Sequence, residues 1–381
     1  MQQTADENSP IANPEKKLTE QILIYRLGSL GDTCVALPAL RLVRKRFPSA
    51  RIVLLTNLPV SDKAVPAISV LERAGLVDDI LAYPVGTRNM RRLGALLGEL
   101  RRRRFDLIIN LAAWRGHWPM RRDALFFRLA GAQRYVGFHA NESGLLRFAP
   151  NGIAEHEAAR LLRRVSQFGK MDLNEQDSFE LGLTTSERAA AGQRLADAGV
   201  EGFFCAVSLG TKVSVNDWGQ ENWRELLIRL GDSHPQLALV LVGAEAEYDR
   251  AEACRLGWPG ASANFCGKIS PRQSAAVLSL AKCFVGHDSG PMHLAAAVGT
   301  RSVAIFAARN PPGQWFPLGE GHRVIYHQTE CFGCGLEVCK QHQKKCILSI
   351  TVDEVISAIK EVLNSDPKLR TSPEAPLLGQ A

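Results

Sequence analysis

Short apolar runs, each closed by a polar or glycine-bearing turn and followed by a helical stretch, recur along almost the whole chain. The first run, Gln21 to Tyr25 (QILIY), is β-branched and aliphatic, as a strand covered on both faces must be. The turn Leu27 to Asp32 leads to a helix expected over Thr33 to Arg46. Phe47-Pro48 ends it, and Arg51 to Thr56 (RIVLLT) is the next strand. Helix, strand and helix follow over Leu93 to Arg104, Leu107 to Leu111 and Ala154 to Phe168. After Gly169 a polar stretch runs to about Thr185, and the order restarts. Strands are expected over Phe203 to Leu209, Leu237 to Val242, Cys283 to Gly286 and Arg301 to Phe306. Helices are expected over Thr185 to Gly199 (capped by Thr185 or Ser186), Trp223 to Leu230, Ala246 to Leu256, Ser270 to Ala281, Met292 to Val298 and Val352 to Leu363. Such alternation dictates a parallel sheet with helices on its faces, because each crossover must return the chain to the same sheet edge. The expected fold is therefore α/β: two Rossmann-like parallel domains facing across a cleft.

Length supports two domains, since 381 residues exceed one ordinary core. Residues 20–175 and 185–351 are assigned to them, 352–364 to a closing helix, and 1–19 and 365–381 to loose tails. No apolar run is long enough to span a membrane, and the polar start MQQTADENSPIANPEKK lacks a secretory core. A cytoplasmic protein is expected. Nine cysteines is an odd number for a disulfide framework. Cys34, Cys205, Cys254, Cys266 and Cys283 sit among apolar neighbours and read as core residues.

In parallel sheets ligands bind at the carboxyl ends of strands, so the turns there carry the functional expectation. The strongest is Gly286-His-Asp-Ser-Gly-Pro-Met-His293, between a strand and a helix. Asp288 or Ser289 suits a cap and Pro291 a first turn, while Gly290 lets a ligand approach the backbone. Free N–H groups and the helix dipole favour phosphate there, and His293 lies one turn further on. An ordinary capped turn has the same composition. Leu209 to Ser214 offers the Thr211 hydroxyl and the Lys212 ammonium, fit for a diphosphate or merely solvated. Glu245 and Glu247 follow a strand, where a carboxylate can accept from ribose hydroxyls or favour a helix start. Gly28-Ser29-Leu30-Gly31-Asp32 is neither a dinucleotide fingerprint nor a P-loop, but it sets a carboxylate at the cleft.

Two further groups stand apart. Arg88, Arg91, Arg92, Arg101 to Arg104, Arg115, Arg121 and Arg122 crowd the first half. They suit an anionic acceptor, an anionic membrane or simply solvated helix faces; nucleic acid is not expected, as no reading motif accompanies them. Cys331-Phe-Gly-Cys334 with Cys339 and Cys346, and His342 nearby, is compatible with a structural zinc, a redox pair or reduced thiols.

Taken together, these segments resemble the ADP-heptose:lipopolysaccharide heptosyltransferases, glycosyltransferase family 9. The likeness rests on Arg26-Leu-Gly-Ser-Leu-Gly-Asp32 with Leu37-Pro-Ala-Leu40, on Gly210-Thr211 ahead of Trp218, and on Asp288-Ser-Gly-Pro-Met-His293. The Cys331 to Cys346 cluster is similar to one in many members. The resemblance implies a GT-B fold, with the acceptor on the N-terminal domain and the nucleotide sugar on the C-terminal one. It implies inverting transfer of a heptose from ADP-heptose to the lipopolysaccharide inner core, on the cytoplasmic face of the membrane as a peripheral enzyme. On that pattern Asp32 is the catalytic base, with Gly28, Ser29 and Gly31 on the acceptor side. Thr211 and Lys212 meet the diphosphate, Glu247 the ribose, and Lys268-Ile269 the adenine. Asp288, Ser289, Gly290 and His293 hold phosphate and heptose. Where members often carry a lysine two residues before the tryptophan, this chain has Asn216, and Lys212 is expected to replace the charge. No Asp-x-Asp triplet occurs, so no metal or other cofactor is expected. Two other readings fit the same turns: a GT-B enzyme using another nucleotide sugar for a different surface glycan, and a non-catalytic nucleotide-sugar-binding protein.

Overall fold

A computed structural model describes residues 21–58, 68–71, 73–84, 86–87, 89–138 and 145–365; both expected tails, apart from Ser365, and Arg88 lie outside them. Strands β1 (Gln21–Tyr25), β2 (Arg51–Leu58), β3 (Asp79–Pro84), β4 (Leu107–Asn110) and β5 (Arg134–Val136) form one sheet in the order β3-β2-β1-β4-β5. The second sheet contains β6 (Phe204–Ser208), β7 (Ala238–Leu241), β8 (Ser262–Asn264), β9 (Cys283–His287), β10 (Ser302–Phe306) and β11 (Arg323–Tyr326), ordered β11-β10-β9-β6-β7-β8. Pairing is parallel throughout both. The first half carries helices α1 (Leu30–Arg46), α2 (Ile68–Leu71), α3 (Met90–Arg103), α4 (His117–Ala130) and α5 (Glu157–Arg164). The second carries α6 (Thr185–Asp197), α7 (Gln220–Ser233), α8 (Tyr248–Arg255), α9 (Pro271–Leu278), α10 (Gly290–Ala297), α11 (Lys345–Leu348) and α12 (Val352–Asn364).

Side-chain alternation sorts the strands into layers. Ile22 and Ile24 point to an inner layer, Leu23 and Tyr25 to an outer one closed by Leu100 of α3 and Phe127 of α4. In the second sheet Cys205 and Val207 face outward, under Trp223 and Leu227 of α7 and Val355 and Ile359 of α12. The inner layer is one continuous cluster through both halves, from Leu37 and Leu40 of α1 to Met292 and Ala295 of α10. The two sheets therefore meet through helices, with α1 and α10 abutting at their N-terminal ends.

Several boundaries differ from expectation for local reasons. α1 begins at Leu30 because Asp32 accepts the Ser29 N–H (2.8 Å) and closes the first turn early. The α6 cap is Thr184, which accepts from the Glu187 N–H while Glu187 accepts from the Thr184 N–H. The helix expected over 154–168 splits into α5 and a 3-10 turn at Ser166–Phe168. That over 246–256 becomes a 3-10 turn at Glu245–Glu247 and α8. The stretch between the halves is packed: Ser178 and Leu181 are buried, and Arg272 donates to the Leu181 (3.1 Å) and Gly182 (2.9 Å) carbonyls and pairs with Glu187.

Candidate active site

A cavity of about 550 Å³ opens where the N-terminal ends of α1 and α10 meet. Ser29, Gly31 and Asp32 line it from the first half, and Thr211, Lys212, Glu247, Ile269, Asp288, Ser289, Gly290 and His293 from the second. Residues brought from five separate turns thus share one hollow. Two expected residues do not line it. Gly28 lies behind the wall: its N–H donates to Asn57 Oδ1 (2.7 Å), and a Cβ there would strike Asp32. Lys268 turns aside, its Nζ 3.2 Å from the Tyr248 hydroxyl and 4.6 Å above that ring.

Asp32 is fixed from two directions. Its Oδ2 accepts from the Ser29 N–H (2.8 Å) and hydroxyl (3.0 Å), and its Oδ1 lies 3.4 Å from Arg26 NH2. The Arg26 guanidinium is buried, donating to the Leu111 (2.7 Å) and Asp32 (2.7 Å) carbonyls. Behind it Glu157 is held by Arg160 at 2.7 Å and 2.6 Å. Burial pushes the Glu157 carboxyl up, but Arg160, Arg26 and Arg164 overcome this and hold it below the ordinary range. Oδ1, with its single long contact, is the oxygen less committed to the fold.

The opposite wall depends on close backbone approach. A Cβ at Gly210 or Gly243 would collide with the Glu247 carboxylate, which accepts the Ala244 N–H at 3.0 Å. Of the two glutamates after β7, Glu247 is therefore laid across the ends of β6 and β7. His287 locks the neighbouring turns. Its Nε2 accepts the Trp218 N–H (3.0 Å), and burial keeps the ring neutral by lowering its pKa to about 4. Neither cap expected at the start of α10 is made by a side chain. Ser289 occupies the capping position with no side-chain cap bond, and its hydroxyl has no partner. The buried Ser208 hydroxyl and Asn216 Oδ1 on the same wall are likewise without protein partners. An ionic ligand would supply acceptors for the hydroxyls.

Sequence reasoning overlooked Ser208, Arg309, Asn310, Trp315 and Glu337, which also line the cavity. Arg309 follows β10 and donates to the Leu336 (2.8 Å) and Gly335 (3.0 Å) carbonyls. Its position at a strand's carboxyl end was the available signal. The segment bearing Glu337 comes from the cysteine-rich loop, whose Glu337 carbonyl accepts from Val215 N–H (3.1 Å). Burial first, then Cys331, Cys339 and Cys334 close by, raise the Cys346 thiol above its usual range. Among the described residues no group of three or more His, Cys, Asp or Glu side chains is arranged to hold a metal ion.

Two parallel α/β halves with a cavity across their helix N-termini make up the GT-B fold. The chain belongs to glycosyltransferase family 9 (heptosyltransferase), whose model matches residues 93–345. It is 22% identical over 382 residues to lipopolysaccharide heptosyltransferase 1 of Pseudomonas aeruginosa, covering 92% of this chain and 100% of that protein. A 106-residue stretch is 26% identical to lipooligosaccharide heptosyltransferase 2 of Campylobacter jejuni, covering 27% of this chain and about a third (32%) of that relative. The structure of ADP-heptose lps heptosyltransferase II from E. coli superposes with a TM-score of 0.65 at 18% identity, covering 90% of this chain and 98% of that one.

Proposed function

We propose that the protein transfers a heptose, with inversion, from ADP-heptose to the lipopolysaccharide inner core at the cytoplasmic face of the membrane. The observation carrying this is the placement of Asp32 from the first half across one cavity from Lys212, Glu247 and the Asp288–His293 turn of the second. Residues 20–175 then form the acceptor domain and 185–351 the donor domain. The likeness to the Pseudomonas lipopolysaccharide heptosyltransferase 1 and the E. coli ADP-heptose lps heptosyltransferase II supports the sugar and the nucleotide.

The chemistry follows from the walls. Glu247 receives ribose hydroxyls and Ile269 packs beside the base. The diphosphate lies at the start of α10, where backbone N–H groups, the Ser289 hydroxyl and Lys212 meet its charge as it departs. Asp32 takes the proton of the acceptor hydroxyl as that oxygen attacks the anomeric carbon opposite the leaving diphosphate. Arg26 holds the Asp32 turn by its carbonyl and lies 3.4 Å from the carboxylate Oδ1, without entering the cavity.

The test is release of ADP from ADP-heptose in the presence of a truncated core acceptor, with the product's anomeric configuration read by NMR. Asp32→Asn keeps the shape and the Ser29 contacts but cannot accept the proton. Turnover is expected to fall by about 10²–10⁴ while ADP binding stays near normal. Retained turnover removes Asp32 from its role, and better use of a UDP- or dTDP-sugar overturns the donor assignment.

A further inference from the structure

We propose that the solvent face of α4 docks the protein on an anionic lipid membrane. The inference rests on the membrane location contained in the functional reading and names the surface responsible. α4 buries Met120, Asp123, Phe127 and Ala130 toward the first sheet. Its other face exposes Trp118 (80%), Leu125 (61%) and Leu129 (47%). At about 100° per residue these three fall within about 40° of one another, forming a stripe roughly 16 Å long. Single exposed apolar side chains need no explanation, whereas three in register on one helix mark a contact surface.

Arginines border the stripe on both sides. Arg122 lies about 40° to one flank of Trp118, and Arg121 and Arg128 about 60–80° to the other; all three are exposed. Arg101 of α3 donates from Nε to the Leu129 carbonyl (2.7 Å), which brings the basic end of α3 beside the stripe. From residue 89 to 134 the sequence holds eleven arginines, no lysine and three carboxylates. Each carboxylate is engaged: Glu99 by Arg103 (2.7 Å), Asp123 by Arg122 (2.9 Å), and Asp106 by the Gln21 N–H (3.1 Å). This one segment therefore carries a larger surplus than the +7 of the entire chain, and the rest of the molecule is close to neutral.

An aliphatic and indole ridge between guanidinium groups matches the boundary of a bilayer. Leucines enter the acyl region, tryptophan sits at its edge, and guanidiniums meet lipid phosphates. A soluble polyanion would leave the apolar ridge uncovered. A second copy packed two-fold on the stripe would set the flanking Arg121, Arg122 and Arg128 of one copy beside those of the other. Position agrees as well. α4 follows the turn after β4, which is tied to the Asp32 turn by Arg26 donating to the Leu111 carbonyl (2.7 Å). Trp118 is at that end of the helix, so a lipid-anchored acceptor would lie along the half that carries Asp32.

The full-length protein is to be co-sedimented with vesicles of phosphatidylcholine alone and of an equal mixture with phosphatidylglycerol. Binding to the mixed vesicles is expected, weakening with added salt. Combined Trp118→Ser, Leu125→Ser and Leu129→Ser should reduce apparent affinity at least about tenfold, and Arg121→Glu with Arg128→Glu should do the same. Melting temperature and ADP affinity should remain unchanged in both variants. Equal sedimentation of the variants, or failure of the wild type to bind anionic vesicles, overturns the proposal. Elution as a dimer that the serine variant dissociates also overturns it, assigning the stripe to self-association. ADP titration is scored separately, so vesicle binding without ADP binding refutes the donor assignment and leaves the docking surface standing.

Discussion

Gly31→Ala probes the seam between the halves with a single methyl group. An ideal Cβ on Gly31 lies 2.7 Å from His293 Cδ2 and 3.5 Å from His293 Nε2. Carbon atoms in contact sit about 3.5–4.0 Å apart, so ring and helix must separate by roughly 1 Å. The ring has little room to retreat. It is 6% exposed, with Met292, Leu294 and Ala295 buried beside it and the Trp315 ring edge-on at 6.2 Å. Overpacking of this kind costs about 1–3 kcal/mol, a loss of a few degrees in melting temperature for a chain this size. The catalytic effect should be larger. A displacement near 1 Å between the halves moves Asp32 relative to the bound sugar, and such misplacement reduces turnover by about 10²-fold. With the donor site proposed above, affinity for ADP should change little. Thermal melting, ADP titration and steady-state ADP release measure the three quantities. Adding His293→Ala to Gly31→Ala should restore the melting temperature to that of His293→Ala alone, because the collision disappears with the ring. Unchanged melting and turnover in Gly31→Ala would refute the reasoning, since the helices would then stand further apart than the structure places them.

Arg309→Ala should weaken ADP binding by about ten- to a hundredfold and adenosine binding hardly at all, since a charge-assisted contact contributes about 1.5–3 kcal/mol; isothermal titration with both ligands checks it, and equal affinities for ADP in variant and wild type would exclude the contact. Stability should decline in acid because burial lowers His287 to about 4 and His156 to about 3. An unfolded histidine takes its proton near pH 6.5 while these stay neutral in the fold, so this contribution is complete above pH 6.5. It is lost as the pH falls toward 4 and 3. Urea midpoints at pH 7 and pH 4.5 should differ accordingly, and the slope should shrink when His287 is replaced by Asn.

Which strands the sequence disclosed follows from their place in the sheets. β1, β2, β4, β6, β7, β9 and β10 are interior strands, and each contains a buried apolar run of three to five residues. β3, β5, β8 and β11 are the four edges. Half-wet segments such as Arg134–Val136 and Arg323–Tyr326 each open on an exposed arginine and offer only two or three apolar residues, all but Val136 partly exposed, to betray them. α4 escaped notice for a related reason: its apolar residues lie on both faces, Phe127 inward and Leu125 outward, which blurs the helical period. At the site, turns at strand ends pointed to Asp32, Thr211, Glu247 and Ser289, because chain direction alone sets those turns at one rim. Lys268 diverged because a tyrosine twenty residues earlier captures its ammonium, a tertiary event without local trace. Arg26 is legible as the first residue of the motif that ends at Asp32; that it is buried behind Asp32 with Glu157 depends on α5 packing across α1.

The apolar layer running unbroken from α1 into α10 has a consequence for how the chain can be divided. Cutting within the polar stretch before α6 would strip Leu37 and Leu40 of their cover on one fragment and Met292 and Ala295 on the other. Each piece would own a complete sheet yet present a greasy flank to water, and so would clump or unravel. The two halves are thus separate as sheets but a single object as far as heat or denaturant is concerned, and evolution can exchange one for another only by resurfacing both sides of the join.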